Sequence, residues 1–264
     1  MKIPFALLFL CLLCARPVAA QSQATLFDGG VSESGTRFAG LLIALEPGWK
    51  TYWRAPQGSG IPPELDWSGS ENLAAARIAW PSPEIFSVSG MTSVGYTRDV
   101  VLPIEITPRD PSQPVSLNLS LFYGVCDEVC MPAESRMALA LPAAGAAPLA
   151  PPIREALARR PLTAAEAGIT GHSCAIRPTD DRGFDLTTRM RAAGPLGAEY
   201  AVIESGAEDV WITPRRIEPQ ADGLSISSGL AHYGKGGFTL DRSRMRVTLF
   251  VGARTIDLRG CPAS

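Results

Sequence analysis

Residues 115–123 read Val-Ser-Leu-Asn-Leu-Ser-Leu-Phe-Tyr, and from Ser116 to Leu121 polar and apolar side chains alternate strictly. This period of two is typical of a β-strand that buries one face. Three further runs in the first half, Phe38–Leu45, Val100–Ile106 and Ser135–Leu141, are short, apolar or alternating, and bounded by turn-forming residues. The first half of the chain is therefore predicted to be β-structure.

The second half has the same character, with short runs at Phe184–Met190, Tyr200–Glu204, Leu224–Ile226 and Met245–Val251. The 264 residues include 25 Gly and 23 Pro without a regular period, which favours many turns over long helices. A helix-like stretch at Glu71–Ala76 is too short to form a helical layer. We predict an all-β fold with two immunoglobulin-like β-sandwich domains.

A stretch rich in proline and alanine separates the two halves. Residues 142–152 are small and uncharged, as in exposed linkers, and a short helix is predicted from Ile153 to Arg160. Each half is large enough for a core of its own. The predicted organisation is a first domain at 21–141, a linker with a short helix at 142–161, and a second domain at 162–264.

The first twenty residues have the pattern of a secretory signal peptide. Lys2 precedes the apolar run Ile3–Cys14, and small residues at 18–20 predict cleavage after Ala20. Leu13, before Cys14, is larger than the residue that a lipidation site requires there. No segment reaches the roughly 20 apolar residues of a membrane-spanning helix, so we expect an exported protein without a membrane span.

Charge and histidine content argue against two classes of function. The chain has 24 Lys+Arg against 26 Asp+Glu, a net charge of -2, which provides no basic surface for nucleic acid. Its two histidines, His172 and His232, both lie in the second half. A cysteine protease needs a histidine base beside its nucleophile, so that class is disfavoured.

Removal of the signal peptide leaves four cysteines, Cys126, Cys130, Cys174 and Cys261. Three pairings are open, and the spacing favours Cys126 with Cys130 and Cys174 with Cys261. In the chain-entropy account the long loop stabilises the fold by about 4.5 kcal/mol and the short loop by about 2 kcal/mol. We therefore expect a structural disulfide between Cys174 and Cys261 and a different role for the short loop.

Three interpretations compete for the motif Cys126-Asp-Glu-Val-Cys130-Met131-Pro. It is an inert structural disulfide, a Cu(I) site in which Met131 joins the two soft thiolates, or a redox-active pair that cycles between dithiol and disulfide. Zinc requires four ligands, and the other two cysteines lack a paired spacing. The spacing alone does not separate the three interpretations.

The residues before this motif form an ordered series of Trp, Gly and Pro landmarks. They are 48–54 (GWKTYWR), 58–63 (GSGIPP), 65–67 (LDW), 80–84 (WPSPE), 95–96 (GY) and 101–103 (VLP). Together with the cysteine motif, they resemble the N-terminal periplasmic domain of the thiol:disulfide interchange protein DsbD, and especially of its relative, suppressor of copper sensitivity protein B (ScsB). The resemblance extends over about 100 residues and is more specific than the cysteine spacing.

The resemblance implies a periplasmic protein-disulfide reductase component with an immunoglobulin-like fold and no cofactor. It would receive electrons from a membrane-embedded thiol reductase and pass them to periplasmic thioredoxin-like or disulfide-bonded proteins. Cys130 takes the position of the exchanging sulfur and Cys126 that of the resolving one. The family also covers the pair with a cap loop, for which Phe86–Tyr96 is the loosely matching segment.

The family's membrane and thioredoxin-like domains have no counterpart in this chain, so the resemblance predicts a free-standing protein with a separate electron donor. The second domain is predicted to be a structural or partner-docking module. Asp127 and Glu128 lie between the two sulfurs, and no helix start follows Cys126, so local charge is expected to disfavour the thiolate. The runner-up functions are copper tolerance through Cu(I) binding and a structural two-domain sandwich with inert disulfides.

Overall fold

The structure is a computed structural model that describes residues 21–57, 60–143, 147–179, 183–207, 209–234 and 240–263. The predicted signal peptide, residues 1–20, and Gly58 and Ser59 of one landmark lie outside the described residues. Nearly all regular structure in the described residues is β, as predicted.

Ten strands form the first sandwich, which spans residues 22–141. They are β1 (Ser22–Val31), β2 (Arg37–Leu45), β3 (Lys50–Tyr52), β4 (Glu64–Asp66), β5 (Leu73–Ile78), β6 (Glu84–Val88), β7 (Met91–Tyr96), β8 (Val100–Pro108), β9 (Val115–Cys126) and β10 (Cys130–Leu141). One sheet has the order β1-β2-β8-β5, and the other has the order β10-β9-β3-β7-β6, with β4 also paired to β9.

Helix α1 (Pro151–Ala158) leads to the second sandwich, which spans residues 162–259. Its strands are β11 (Leu162–Thr163), β12 (Ile169–Pro178), β13 (Phe184–Ala192), β14 (Tyr200–Glu204), β15 (Val210–Gln220), β16 (Gly223–His232), β17 (Arg246–Val251) and β18 (Arg254–Arg259). Their sheets have the orders β11-β18-β17-β14 and β12-β13-β16-β15. Both groups of strands are immunoglobulin-like β-sandwiches.

The alternation in β9 has the predicted consequence. Leu117, Leu119 and Leu121 are at most 2% exposed and pack into the first core, whereas Asn118 and Ser120 on the other face are exposed. Because strand residues alternate between faces, the sequence pattern fixes which face of β9 is buried.

Two local expectations were wrong in part. The helix-like stretch at Glu71–Ala76 lies instead in and before β5 (Leu73–Ile78), where antiparallel pairing with β8 overrides the helical preference of three alanines. The helix expected from Ile153 begins at Pro151, since proline fits the first helical turn, where no backbone donor is needed. Ile153 and Ala156 form its buried side.

The proline-rich linker is partly exposed but is bound to β1. The amide of Val31 donates to the carbonyl of Ala147 at 2.9 Å, and the amide of Ala150 donates to the carbonyl of Gly29 at 2.9 Å. The described part of the linker therefore follows the edge of the first sandwich.

The sheet β11-β18-β17-β14 is buried on both faces. One face contributes Ala201, Ile203 and Leu249 to the second core, while Val202 and Phe250 on the other face join the apolar cluster of the first sandwich. Since these residues alternate along β14 and β17, apolar side chains of this sheet pack against the first sandwich as well as into the second core.

Candidate functional site

A disulfide joins Cys126 and Cys130 where β9 turns into β10. The two cysteines are register partners with Cα atoms 4.1 Å apart, and Asp127, Glu128 and Val129 form the exposed turn between them. Cys126 is 0% exposed, whereas Cys130 is only partly buried. Solvent or a partner can therefore approach Cys130 more readily than Cys126.

The hydroxyl of Tyr52 lies 3.0 Å from Sγ of Cys130. A disulfide sulfur carries no proton, so the tyrosine is the donor. Tyr52 is 1% exposed, and its burial raises the pKa of the phenol, which keeps the hydroxyl protonated. The side chain is held beside the sulfur as a permanent hydrogen-bond donor.

The ring of Tyr52 lies in a slot between two glycines. A Cβ on Gly60 would be 2.6 Å from Cδ1 of Tyr52, and a Cβ on Gly124 would be 2.8 Å from its Cδ2. Any larger residue at either position would displace the ring. This close approach gives a physical reason for the glycine of the GSGIPP landmark and for the glycine two residues before Cys126.

Strands β6 and β7 form a hairpin, residues 84–96, that covers the disulfide and is called the cap hairpin below. Phe86 and Val88 form a small apolar cluster with Tyr52 and the two cysteines, and the rings of Tyr52 and Phe86 have centroids 6.2 Å apart. The matching segment expected from the resemblance, Phe86–Tyr96, is most of this hairpin.

A lysine offsets part of the acidic charge at the turn. Lys50 is the register partner of Cys126, and its Nζ lies 3.6 Å from Oδ1 of Asp127. Because Asp127 is 48% exposed, this pair contributes at most about 1 kcal/mol. The turn nevertheless carries less net negative charge than Asp127 and Glu128 alone would give it.

Large apolar side chains are exposed on the cap hairpin and on the turn between the cysteines. Ile85 and Met91 of the cap hairpin are 40% and 45% exposed, and Val129 in the cysteine turn is 68% exposed. We call these three residues the apolar rim. Contiguous exposed apolar patches mark protein docking surfaces, and the apolar rim is our candidate for one in this chain.

The second disulfide joins Cys174 and Cys261, whose Cα atoms are 5.4 Å apart. Both cysteines are 1% exposed, and Arg242 donates to the carbonyl of Cys174 at 2.8 Å. This bond is buried in the second sandwich, whereas Cys130 lies at the edge of a covered but accessible site.

Met131, the third residue named for a Cu(I) site, does not lie on the same face as the sulfur of Cys130. Met131 follows Cys130 directly in β10, so the two side chains point to opposite faces of the sheet. In the part of the chain that the structure describes, no cluster of three or more His, Cys, Asp or Glu side chains has the arrangement of a metal site.

Sequence reasoning missed two contributors to the site, Lys50 and Tyr52, whereas Phe86 and Val88 fall in the segment expected to form the cap. Lys50 and Tyr52 stand in the GWKTYWR landmark, whose Trp53 is 0% exposed in the first core. Tyr123, three residues before Cys126, lies in the first core, and its hydroxyl shares a 2.8 Å hydrogen bond with Ser22.

No helix among the described residues is long and apolar enough to cross a membrane. The chain resembles the crystal structure of the N-terminal periplasmic domain of ScsB from Proteus mirabilis, with a TM-score of 0.67 at 22% identity. That match covers 94% of this chain and 96% of the ScsB chain, and at this identity it establishes a shared fold. No curated protein matches the chain.

The family described as "Thiol:disulfide interchange protein DsbD, N-terminal" matches residues 16–142. The match includes the cysteine motif, the glycine slot, the cap hairpin and every landmark that precedes them. Through these residues the first sandwich belongs to the family of DsbD N-terminal domains.

Proposed function

We propose that the chain is a periplasmic thiol:disulfide exchange protein whose Cys126 and Cys130 carry two electrons from a membrane-embedded thiol reductase to thioredoxin-like or disulfide-bonded proteins. The observation that carries the proposal is the asymmetry of the pair: a fully buried Cys126 is bonded to a partly exposed Cys130 beneath the cap hairpin. Membership of the DsbD N-terminal family supports the same chemistry.

Reduction begins when a thiolate of the donor attacks Sγ of Cys130. The Cys126–Cys130 bond breaks, Cys126 leaves as a thiolate that takes up a proton, and Cys130 is joined to the donor in a mixed disulfide. The donor's second thiolate then attacks its own bonded sulfur and releases Cys130. The pair has gained two electrons and two protons, and the donor has become a disulfide.

Oxidation reverses these steps on a substrate. The Cys130 thiolate attacks the substrate disulfide, and Cys126 resolves the mixed disulfide that results. Tyr52 aids both directions because its hydroxyl stabilises negative charge on Cys130. The apolar rim offers a surface on which a thioredoxin-like partner can exclude water during exchange.

Copper binding is the weaker function for this site. The alternation of β10 directs Met131 away from the face that Cys130 uses, so a site built from both thiolates would lack its expected thioether ligand. Thiol–disulfide exchange, by contrast, needs only the two cysteine sulfurs. The burial of Cys126 and the presence of the cap hairpin favour controlled exchange over inert disulfide bonding.

A trapping experiment tests the proposal and the roles of the two sulfurs. A thioredoxin whose resolving cysteine is replaced by serine is mixed with the oxidised protein, and the linked peptides are identified by mass. We expect a mixed disulfide at Cys130. Linkage at Cys126 would overturn the assignment of roles, and absence of any adduct would overturn the function itself.

A further inference from the structure

Three consecutive residues connect the redox sulfur to the second sandwich. Tyr52 donates to Cys130, Trp53 is fully buried with its amide bonded to the carbonyl of Val94 at 3.1 Å, and the Arg54 guanidinium carbon lies 3.7 Å from the centroid of the Trp53 ring. Backbone and stacking contacts therefore leave little freedom between Tyr52 and Arg54. A constraint on Arg54 is also a constraint on Tyr52.

Arg54 is bound by side chains of the second sandwich. Its Nε and Nη2 donate to the two carboxylate oxygens of Glu204 at 3.0 and 2.8 Å, and Nη2 also lies 3.4 Å from Oγ1 of Thr248 and 3.5 Å from Oδ1 of Asp257. Two parallel hydrogen bonds fix both the position and the plane of a guanidinium. This geometry anchors the end of the Tyr52–Arg54 segment.

The surface that receives Arg54 is itself rigid. Glu204, Thr248 and Asp257 lie on three strands, β14, β17 and β18, of the sheet that is buried on both faces. Asp257 is held further by Arg246 at 2.5 Å. Because close-packed interiors shift little, the anchor stays in place as the cap hairpin or a partner moves.

The ion pair is largely removed from water. The side chains of Arg54 and Glu204 are 12% and 22% exposed, and burial lowers the pKa of Arg54 while Glu204 opposes that change. Removing charges from water costs free energy, so the pair is weak evidence of added stability, whereas its two parallel hydrogen bonds restrict the orientation of Arg54. An apolar contact could have joined the sandwiches without fixing the direction of the Tyr52–Arg54 segment.

We propose that Arg54 is a positioning residue through which the second sandwich holds the Tyr52 hydroxyl at Sγ of Cys130. The benefit of this arrangement rests on the proposed function, since a hydrogen-bond donor fixed at Cys130 assists thiol exchange at that sulfur. It also gives the second sandwich a role: it is the support against which the redox site of the first sandwich is aligned.

The test is the pH dependence of Cys130 alkylation by iodoacetamide in the chemically reduced full chain, with the modified peptide identified by mass. Tyr52→Phe is expected to raise the midpoint by about one pH unit. Arg54→Gln should also raise the midpoint of Cys130 alkylation. The double variant should match Tyr52→Phe alone, because both changes act through the same hydrogen bond.

Glu204→Gln is the second variant, and it should also raise the midpoint. It retains the size and one acceptor oxygen of the carboxylate, so it provides the test if Arg54→Gln does not fold. Arg160→Gln is the matched control, because Arg160 makes a bidentate pair with Glu166 and does not bond to the residues that hold Arg54, and we expect the wild-type midpoint. An unchanged midpoint in folded Arg54→Gln or Glu204→Gln, or additive shifts in the double variant, would overturn the proposal.

The thiol titration is independent of any exchange partner. If the disulfide resists reduction by glutathione while the midpoint still shifts, the proposed function fails and the positioning role stands. If exchange proceeds while the Arg54 and Glu204 variants titrate as wild type, only the positioning role fails.

Discussion

Tyr52 and Cys130 are 78 residues apart in sequence, yet the tyrosine hydroxyl lies 3.0 Å from the cysteine sulfur. The contact depends on β3 pairing with β9, which brings Tyr52 beside the β9–β10 turn. The contact places a neutral hydrogen-bond donor at the sulfur that is proposed to exchange. Asp127 and Glu128 in the adjoining turn are expected to disfavour a thiolate there.

Replacing Tyr52 by Phe should therefore make Cys130 a poorer leaving group and nucleophile. A hydrogen bond to a charged acceptor is worth roughly 1.5 kcal/mol or more, which corresponds to about one pKa unit for the Cys130 thiol. Tyr123→Phe is the matched control, because Tyr123 is equally buried and its hydroxyl bonds to Ser22 instead. Equal thiol titration in the two variants would contradict the role of Tyr52.

The cap hairpin should control access to the disulfide. Phe86→Ala removes the ring that packs against Tyr52 and Cys130, so reduction by dithiothreitol is expected to accelerate by about tenfold if the cap contributes about 1.4 kcal/mol to the barrier. Stopped-flow thiol detection measures this rate. No acceleration would mean that Phe86 does not limit access.

Ile85 provides the complementary variant on the same strand. Its side chain is 40% exposed and belongs to the apolar rim, so Ile85→Ala should leave the dithiothreitol rate unchanged and slow reduction by a thioredoxin-like protein. Comparing Phe86→Ala with Ile85→Ala would therefore distinguish access to the disulfide from docking of the partner protein. A loss of rate with both reductants in Ile85→Ala would argue against that separation.

The glycine slot makes a prediction about stability. An alanine Cβ at position 124 would lie 2.8 Å from both Cδ2 of Tyr52 and Cβ of Ile61, so Gly124→Ala should lower the free energy of unfolding by about 1–3 kcal/mol. Gly69→Ala is the control, since its nearest neighbour would be Cβ of Asn118 at 3.4 Å. Urea denaturation compares them, and equal stabilities would show that the slot tolerates a methyl group.

Buried tyrosines predict a loss of stability at alkaline pH. Burial raises the pKa of Tyr96 above the ordinary value of 10.0, so above pH 10 the unfolded chain releases a proton that the folded chain retains. The stabilising contribution is complete below pH 10 and decreases as pH rises, by up to about 1.4 kcal/mol per pH unit. Tyr96→Phe should reduce this slope in urea titrations between pH 9 and 11. An identical slope in the variant would exclude Tyr96 as its source.

The sequence predicted those parts of the fold that depend on local patterns. Alternation identified β9 and the buried face of its leucines, and the apolar runs located β2, β8 and β10. The helix-like stretch at Glu71–Ala76 misled because pairing with β8 is not encoded in its own residues. In the same way, β1 has no strong apolar pattern and was not predicted.

The site was predicted at its two sulfurs and, through the resemblance, at the cap segment Phe86–Tyr96. Tyr52 reaches Cys130 through pairing between strands distant in sequence, so no spacing could reveal this contact. The interface between the sandwiches was missed for a related reason. Val202 and Ile203 are both buried but in different cores, and an apolar run does not show which partner covers each face.

The central claim, that Cys126 and Cys130 form a redox pair, is tested most directly by equilibrating the full-length protein in glutathione buffers of graded potential and trapping free thiols for mass analysis. The account predicts that Cys126–Cys130 is reduced at a potential well above about −300 mV, while the buried Cys174–Cys261 bond remains oxidised as an internal reference. Resistance of both disulfides across the range would contradict the account and favour an inert structural bond.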